Sequence, residues 1–231
     1  MVRNSKAGIC TYCGQYGSLT KDHIPPKTIF PKPRPNNLIT IPCCLICNGA
    51  AKKDDEYFGI MMALRDKSQN HPSANKVLPK IFDGLHHKNA WGFRKKIFHN
   101  FSVKNVVTTT GILLGRYPVF EEEAAPIIRV MERITKGLYY LETKKSYPQH
   151  HCINIRFGRS LIEGSIEKQR NLAQALGIFK TVIPKVIGNG EFRYWLRFAD
   201  DDNCTFGALV EIYNSRYFLC YSVPVNSEAA L

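Results

Sequence analysis

The stretch CTYC (Cys10–Cys13), followed by SLTKDHIPPKTIFPKPRPNNLITIPCCLICN (Ser18–Asn48), decides how the N-terminal part of this chain folds. Cys10 and Cys13 form one C-x-x-C pair, and Cys44 and Cys47 form a second. Each pair supplies two thiolates from a tight knuckle, and two pairs converge tetrahedrally on one Zn²⁺. Cys43 is an alternative ligand beside Cys44. Cys44 is preferred because it keeps both pairs C-x-x-C, whereas Cys43 would open the second to C-x-x-x-C. Disulfides need an oxidising compartment, and the N-terminus MVRNSKAGIC lacks the apolar run of a secretory signal, so the expected location is cytoplasmic.

Working outward, Leu19 to Ile24 reads as an extended segment stopped by Pro25-Pro26. Asn37 to Ile41 has the β-branched character of a second strand, which makes a hairpin with a long basic loop. Tyr57, Ile60, Met61 and Leu64 repeat at helical spacing, predicting a helix over at least 55–66 with Asp54-Asp55-Glu56 at its acidic start. Two strands and a helix form a ββα unit whose core is too small to stand alone, and this is the physical reason for the zinc. The expected organisation is this module over residues 1–68, then an α+β domain over 69–231 for substrate binding or partner contact.

In that second part, residues 76–100 read as one or two short basic helices broken near Pro79 and Gly84. Ile127, Val130, Met131 and Ile134 predict a helix over 121–142, and Ser165 caps another over 165–176. The runs EFRYWLRFA, CTFGALVEIY and SRYFLCYSVPV predict three strands in an antiparallel β-meander. Cys152, Cys204 and Cys220 sit among apolar neighbours and read as core thiols. The fold class is therefore α+β.

The order Cys10-x-x-Cys13, Asp22-His23, Asn37, Cys44-x-x-Cys47-Asn48 resembles the HNH nuclease family in its zinc-containing, treble-clef-like ββα-metal form. The resemblance covers the region up to residue 60, and Asn48 stands where the family name has its last His. It implies a metal-dependent endonuclease that hydrolyses phosphodiesters, most simply of DNA, leaving a 5′ phosphate and a 3′ hydroxyl. It also implies a structural Zn²⁺ on Cys10, Cys13, Cys44 and Cys47, and a catalytic Mg²⁺ or Mn²⁺ on Asp22 and Asn48. His23 would be the general base, with Asn37 holding the hairpin and orienting that base.

The residues support such chemistry in their own right. Phosphodiester hydrolysis needs a proton acceptor for water and a group that neutralises charge at phosphorus. Side-chain oxygens of Asp22 and Asn48 suit a hard cation, and a histidine with an ordinary pKa near 6.5 suits the base. In a regular strand, however, Asp22 and His23 point to opposite faces. Both can serve one substrate only if the strand ends or distorts there, as Pro25-Pro26 suggests.

Charge points to the partner. The chain carries 32 Lys+Arg against 19 Asp+Glu, a net +13. Residues 61–110 hold nine basic and two acidic side chains, whereas residues from 191 onward hold three and six. A basic first half fits nucleic acid. The candidate phosphate contacts are Lys27, Lys32, Arg34, Lys52 and Lys53, together with Arg94, Lys95 and Lys96, which are interleaved with Trp91, Phe93 and Phe98. The other reading of the same features is a zinc-stabilised nucleic-acid-binding module that does not cut. No apolar run approaches the roughly 18 residues of a membrane span, so an integral membrane protein is excluded.

Overall fold

In the computed structural model, which describes residues 7–64, 68, 70–87, 94–95, 98–158, 166–200 and 202–225, the hairpin forms around the second knuckle. β1 (Ala7–Ile9), β2 (Tyr16–Ile24) and β3 (Ile39–Cys44) make a three-stranded antiparallel sheet in that order. β2 starts at Tyr16 rather than Leu19 because β1 pairs with its first residues, Tyr16 to Ser18. β3 continues past Ile41 to Cys44 because the ladder runs from Ile24↔Ile39 to Leu19↔Cys44, and it delivers the second knuckle at its end.

A short helix, α1 (Leu45–Ala50), follows at once, its first turn capped by the Cys44 sulfur accepting from the Cys47 N–H at 3.4 Å. The helix predicted over 55–66 is α2 (Lys52–Leu64), with Tyr57, Ile60 and Met61 buried. α3 (Pro72–His86) corrects the sequence reading, because it runs unbroken through Pro79 and Gly84. Pro79 removes one helical hydrogen bond. Buried Ala74 and Val77 hold the helix to the core, and packing rather than propensity supplies most helix stability in a protein. Arg94 and Lys95 are helical, whereas Trp91, Phe93, Lys96 and Ser165 lie outside the described residues.

β4 (Phe101–Val107) and β5 (Leu113–Phe120) pair as a two-stranded ribbon that the apolar pattern did not reveal. The helix predicted over 121–142 is α4 (Ala124–Thr143), its stripe of Ile127, Val130, Met131, Ile134 and Leu138 fully covered. The predicted meander is present as β8 (Phe192–Phe198), β9 (Phe206–Ile212) and β10 (Arg216–Pro224). It is extended by β6 (His151–Phe157) beside β10 and β7 (Lys185–Ile187) beside β8, giving the order β6-β10-β9-β8-β7. α5 (Ile166–Phe179) lies between β6 and β7 in the chain. Among the described residues no helix is long and apolar enough to cross a membrane.

One hydrophobic cluster runs from Cys10 through α2 and α4 to Cys220, so the boundary expected at residue 68 falls inside a continuous core. Ser68 Oγ lies 2.7 Å from Ser215 Oγ, and the Tyr213 hydroxyl donates to the carbonyl of Ile29. α4 lies directly on the β2–β3 hairpin because residue 137 is glycine. A Cβ there would fall 1.8 Å from Ile24 Cδ1 and 3.1 Å from Ile41 Cδ1.

Candidate functional site

The first knuckle closes on itself: the Gly14 N–H donates to the Cys10 carbonyl at 3.0 Å, with Gly14 at φ +70°, and the Cys10 N–H donates to Gln15 at 2.9 Å. β3 brings the second knuckle against it, and the Cys44 N–H reaches the Cys10 sulfur at 3.3 Å. The sulfurs of Cys10, Cys13, Cys44 and Cys47 all lie within 4.8 Å of one another, with Cys13 and Cys44 at 4.0 Å. A tetrahedron with Zn–S near 2.3 Å requires sulfurs about 3.8 Å apart. The cluster therefore fits a metal such as zinc. Cys43 is excluded from it, being buried on the core side of β3 against Thr20 and its thiol pushed up to about 11, first by burial.

The thiols differ in a way a cation would reconcile. Burial pushes Cys10 up, yet N–H groups of Cys13, Cys44 and Tyr12 hold it down to about 7. Burial and then the neighbouring Cys44 push Cys47 up. A divalent cation among four sulfurs outweighs such crowding, since a coordinated thiol is deprotonated outright.

Asp22 is the main correction to the sequence reading. The ladder stays in register through Asp22↔Ile41, His23↔Thr40 and Ile24↔Ile39, so the strand neither ends nor distorts at the pair. Asp22 turns into the core, 6% exposed, while His23 lies half-buried on the other face. The Asp22 oxygens are already occupied. Oδ2 accepts from the Tyr12 hydroxyl at 2.6 Å and from Arg133 Nη2 at 2.5 Å, and Oδ1 accepts from the His23 N–H at 2.9 Å. In this arrangement Asp22 does not fit a catalytic cation.

The other predicted residues separate in the same way. Asn48 projects from α1 to β2, its amide donating to Thr20 Oγ1 at 2.9 Å and to the Lys21 carbonyl at 3.4 Å. Asn37 ties the basic loop to the C-terminal sheet. It accepts from the Gly188 N–H at 2.9 Å and donates to the Val186 carbonyl at 3.4 Å. Both bonds reach the C-terminal segment, and neither crosses the hairpin nor reaches His23. Burial, then the nearby Lys27 and Arg34 charges, holds the His23 imidazole below its ordinary pKa against the opposing pull of Asp22. His23 is thus neutral, reachable and set in a cationic field.

Arg133 of α4 is the residue that sequence reasoning missed. Its guanidinium bridges Asp22 and Asp55, the latter at 2.7 Å, and lies 5.5 Å from the centre of the Tyr12 ring. One turn earlier, Arg129 forks onto Asp54 at 2.7 and 2.9 Å. Asp54 and Asp55, read as a helix start, are therefore ion-pair partners of α4. Two arginines spaced i, i+4 on the predicted helix were the available signal. Lys27, Lys32, Lys52, Lys53 and Lys95 are exposed, and Arg34 and Arg94 are half-buried. No protein family, curated protein or solved structure matches the chain.

Proposed function

We propose that the chain is a phosphodiester hydrolase acting on nucleic acid, with His23 as the general base and Zn²⁺ on Cys10, Cys13, Cys44 and Cys47 as a structural staple. The observation that carries the reading is a neutral, half-buried His23 facing Lys27 and Arg34 on a hairpin whose order of Cys, Asp-His, Asn and Cys-Asn resembles the HNH nucleases. The imidazole takes the proton of a water as it attacks phosphorus, the P–O3′ bond breaks with its electrons going to the 3′ oxygen, which takes a proton from solvent, and the two cations offset charge on the phosphate oxygens. Asp22 acts on His23 through its backbone, fixing the strand by accepting the His23 N–H. No step is assigned to a cation on Asp22, because its oxygens are already engaged by Tyr12, Arg133 and His23. The four-cysteine site is closed to substrate and contributes fold only.

The same engagement of Asp22 favours a second reading, a zinc-stabilised nucleic-acid-binding module that does not cut. Incubating the purified protein with plasmid DNA and with RNA, under Mg²⁺, Mn²⁺ and chelator, separates the two. Cleavage that His23→Ala lowers by roughly 10²- to 10⁴-fold supports the hydrolase. Binding without cleavage under every condition leaves the binding module.

A further inference from the structure

Between the loop that follows β2 and the facing sides of α2 and α3 lies a cavity of about 680 Å³. Its floor is apolar, with Phe30, Ile60, Val77 and Ile81, and its rim carries Lys32, Arg34, Lys52 and Lys80. Among the described residues that line it Glu56 is the one carboxylate, against four cations. The loop lies this close to α2 because residue 59 is glycine: a Cβ there would sit 2.6 Å from Thr28 Cβ.

Among the described residues none of the four cations has an ion-pair partner, although carboxylates elsewhere on the same helix are paired. Arg34 is the telling one. It is half-buried, burial pulls its guanidinium below the ordinary value, and no protein carboxylate answers it. A charge that is withdrawn from water without a partner costs free energy that an incoming anion returns. The charge of Arg34 is also felt at His23, the proposed base.

The shape limits the anion. A cavity of 680 Å³ is within the range of small-ligand sites, and a lone phosphate would leave the apolar floor uncovered. A flat apolar ring joined to more than one phosphate matches floor and rim together, which is the chemistry of a nucleotide within a strand. A base inside a duplex is stacked on both faces and cannot enter such a recess, so the occupant must be unpaired.

We infer that this cavity is a nucleotide subsite, holding one unpaired nucleotide of a single strand with its base on the apolar floor and its flanking phosphates on Lys32, Arg34 and Lys80. The inference rests on the nucleic-acid reading above and adds the state of the strand that is bound.

The test is fluorescence anisotropy with the full zinc-loaded chain, a labelled oligothymidylate and a duplex of equal length. The single strand should bind on the order of tenfold more tightly, the equivalent of one stacked base. Arg34→Ala and the exposed Lys80→Ala should each weaken single-strand binding by a similar factor, while the charge-matched Lys180→Ala, outside the cavity lining, should not. Ile81→Glu, which puts a carboxylate on the floor, should also lose single-strand binding, with melting midpoint and zinc content as checks of folding. Free thymidine monophosphate should compete better than inorganic phosphate. Equal affinity for strand and duplex overturns the subsite, as does equal competition by inorganic phosphate, or Lys80→Ala behaving like Lys180→Ala. These outcomes leave His23-dependent plasmid cleavage untouched. Conversely, cavity-dependent single-strand binding without any cleavage sinks the hydrolase reading alone and supports the subsite.

Discussion

The two sides of α2 carry charge in opposite states. Toward α4, Asp54 and Asp55 are tied to Arg129 and Arg133, and the same guanidinium reaches Asp22 beneath the hairpin. Toward α3 and the loop, Lys52 faces Lys32, Arg34 and Lys80 across a cavity with Glu56 as the only lining carboxylate among the described residues. The four-cysteine corner belongs to the first side, since Ser146 and Tyr147, just after α4, bond to the Cys10 and Thr11 carbonyls. Paired and covered charge holds a fold together, whereas unpaired charge around an apolar recess is left for a ligand. Substitutions on the α4 side should therefore cost stability, and those on the cavity side should cost binding.

The largest effect is expected at the four-cysteine corner. Structural zinc contributes on the order of 10 kcal/mol in isolated fingers. Cys44→Ser should release the metal and unfold the module, as read by elemental analysis and circular dichroism. Cys43→Ser changes only a buried thiol and should cost about 1 kcal/mol. Equal damage from both would break the assignment of the cluster.

Next comes Arg133→Ala, which leaves the buried Asp22 and the half-buried Asp55 without their shared cation. Removing one partner of a buried pair costs roughly 3–5 kcal/mol, to be read from urea denaturation. A loss as small as that of a surface substitution would erase the contrast between the two sides of α2.

Asp55 sharpens the contrast through pH. Burial, against the pull of Arg133, pushes its carboxyl up to about 6 from the ordinary 3.8. A carboxyl whose folded pKa is raised binds its proton more tightly in the folded chain, so its contribution is present below pH 3.8 and is lost as pH rises through about 6. Asp55→Asn should flatten that part of the stability profile, and an unchanged profile would show that Asp55 does not titrate there.

On the cavity side, Lys80→Ala should shift stability by no more than about 0.5 kcal/mol while lowering the salt slope of single-strand binding by about 0.7 for one lost phosphate contact. The smallest expected change concerns His23. A neutral base is needed, and burial with Lys27 keeps its pKa below the usual histidine value, so the acid limb of the cleavage profile should lie below pH 6.5. Lys27→Ala removes a repelling cation and should move that limb upward. A limb that stays fixed would place the titrating group elsewhere.

How much was legible depended on how local the signal was. The two C-x-x-C pairs were legible because knuckle geometry is set by four residues at a time, and the choice of Cys44 over Cys43 followed from spacing alone. α2, α4 and the β8–β9–β10 meander were legible because their apolar residues repeat at a period of one element. β7 was not, since three residues cannot display a period, and the order that places β6 beside β10 depends on a non-local pairing. Pro79 misled for a related reason: a local breaker signal was overruled by burial of Ala74 and Val77 against the rest of the core.

The site divides along the same line. By itself the sequence determined which residues can do chemistry: four thiols, His23, Asn48, and an excess of cations in the first half. It even showed that Asp22 and His23 oppose each other across a strand, because side-chain alternation is a property of the backbone. Only the tertiary structure decided that the strand stays regular at that pair, that Arg133, 111 positions from Asp22 and 78 from Asp55, takes both, and that Lys32, Arg34, Lys52 and Lys80 surround one cavity. A charged side chain declares its sign in the sequence, but its partner, or its lack of one, is fixed by which distant segments the core brings within a few ångströms.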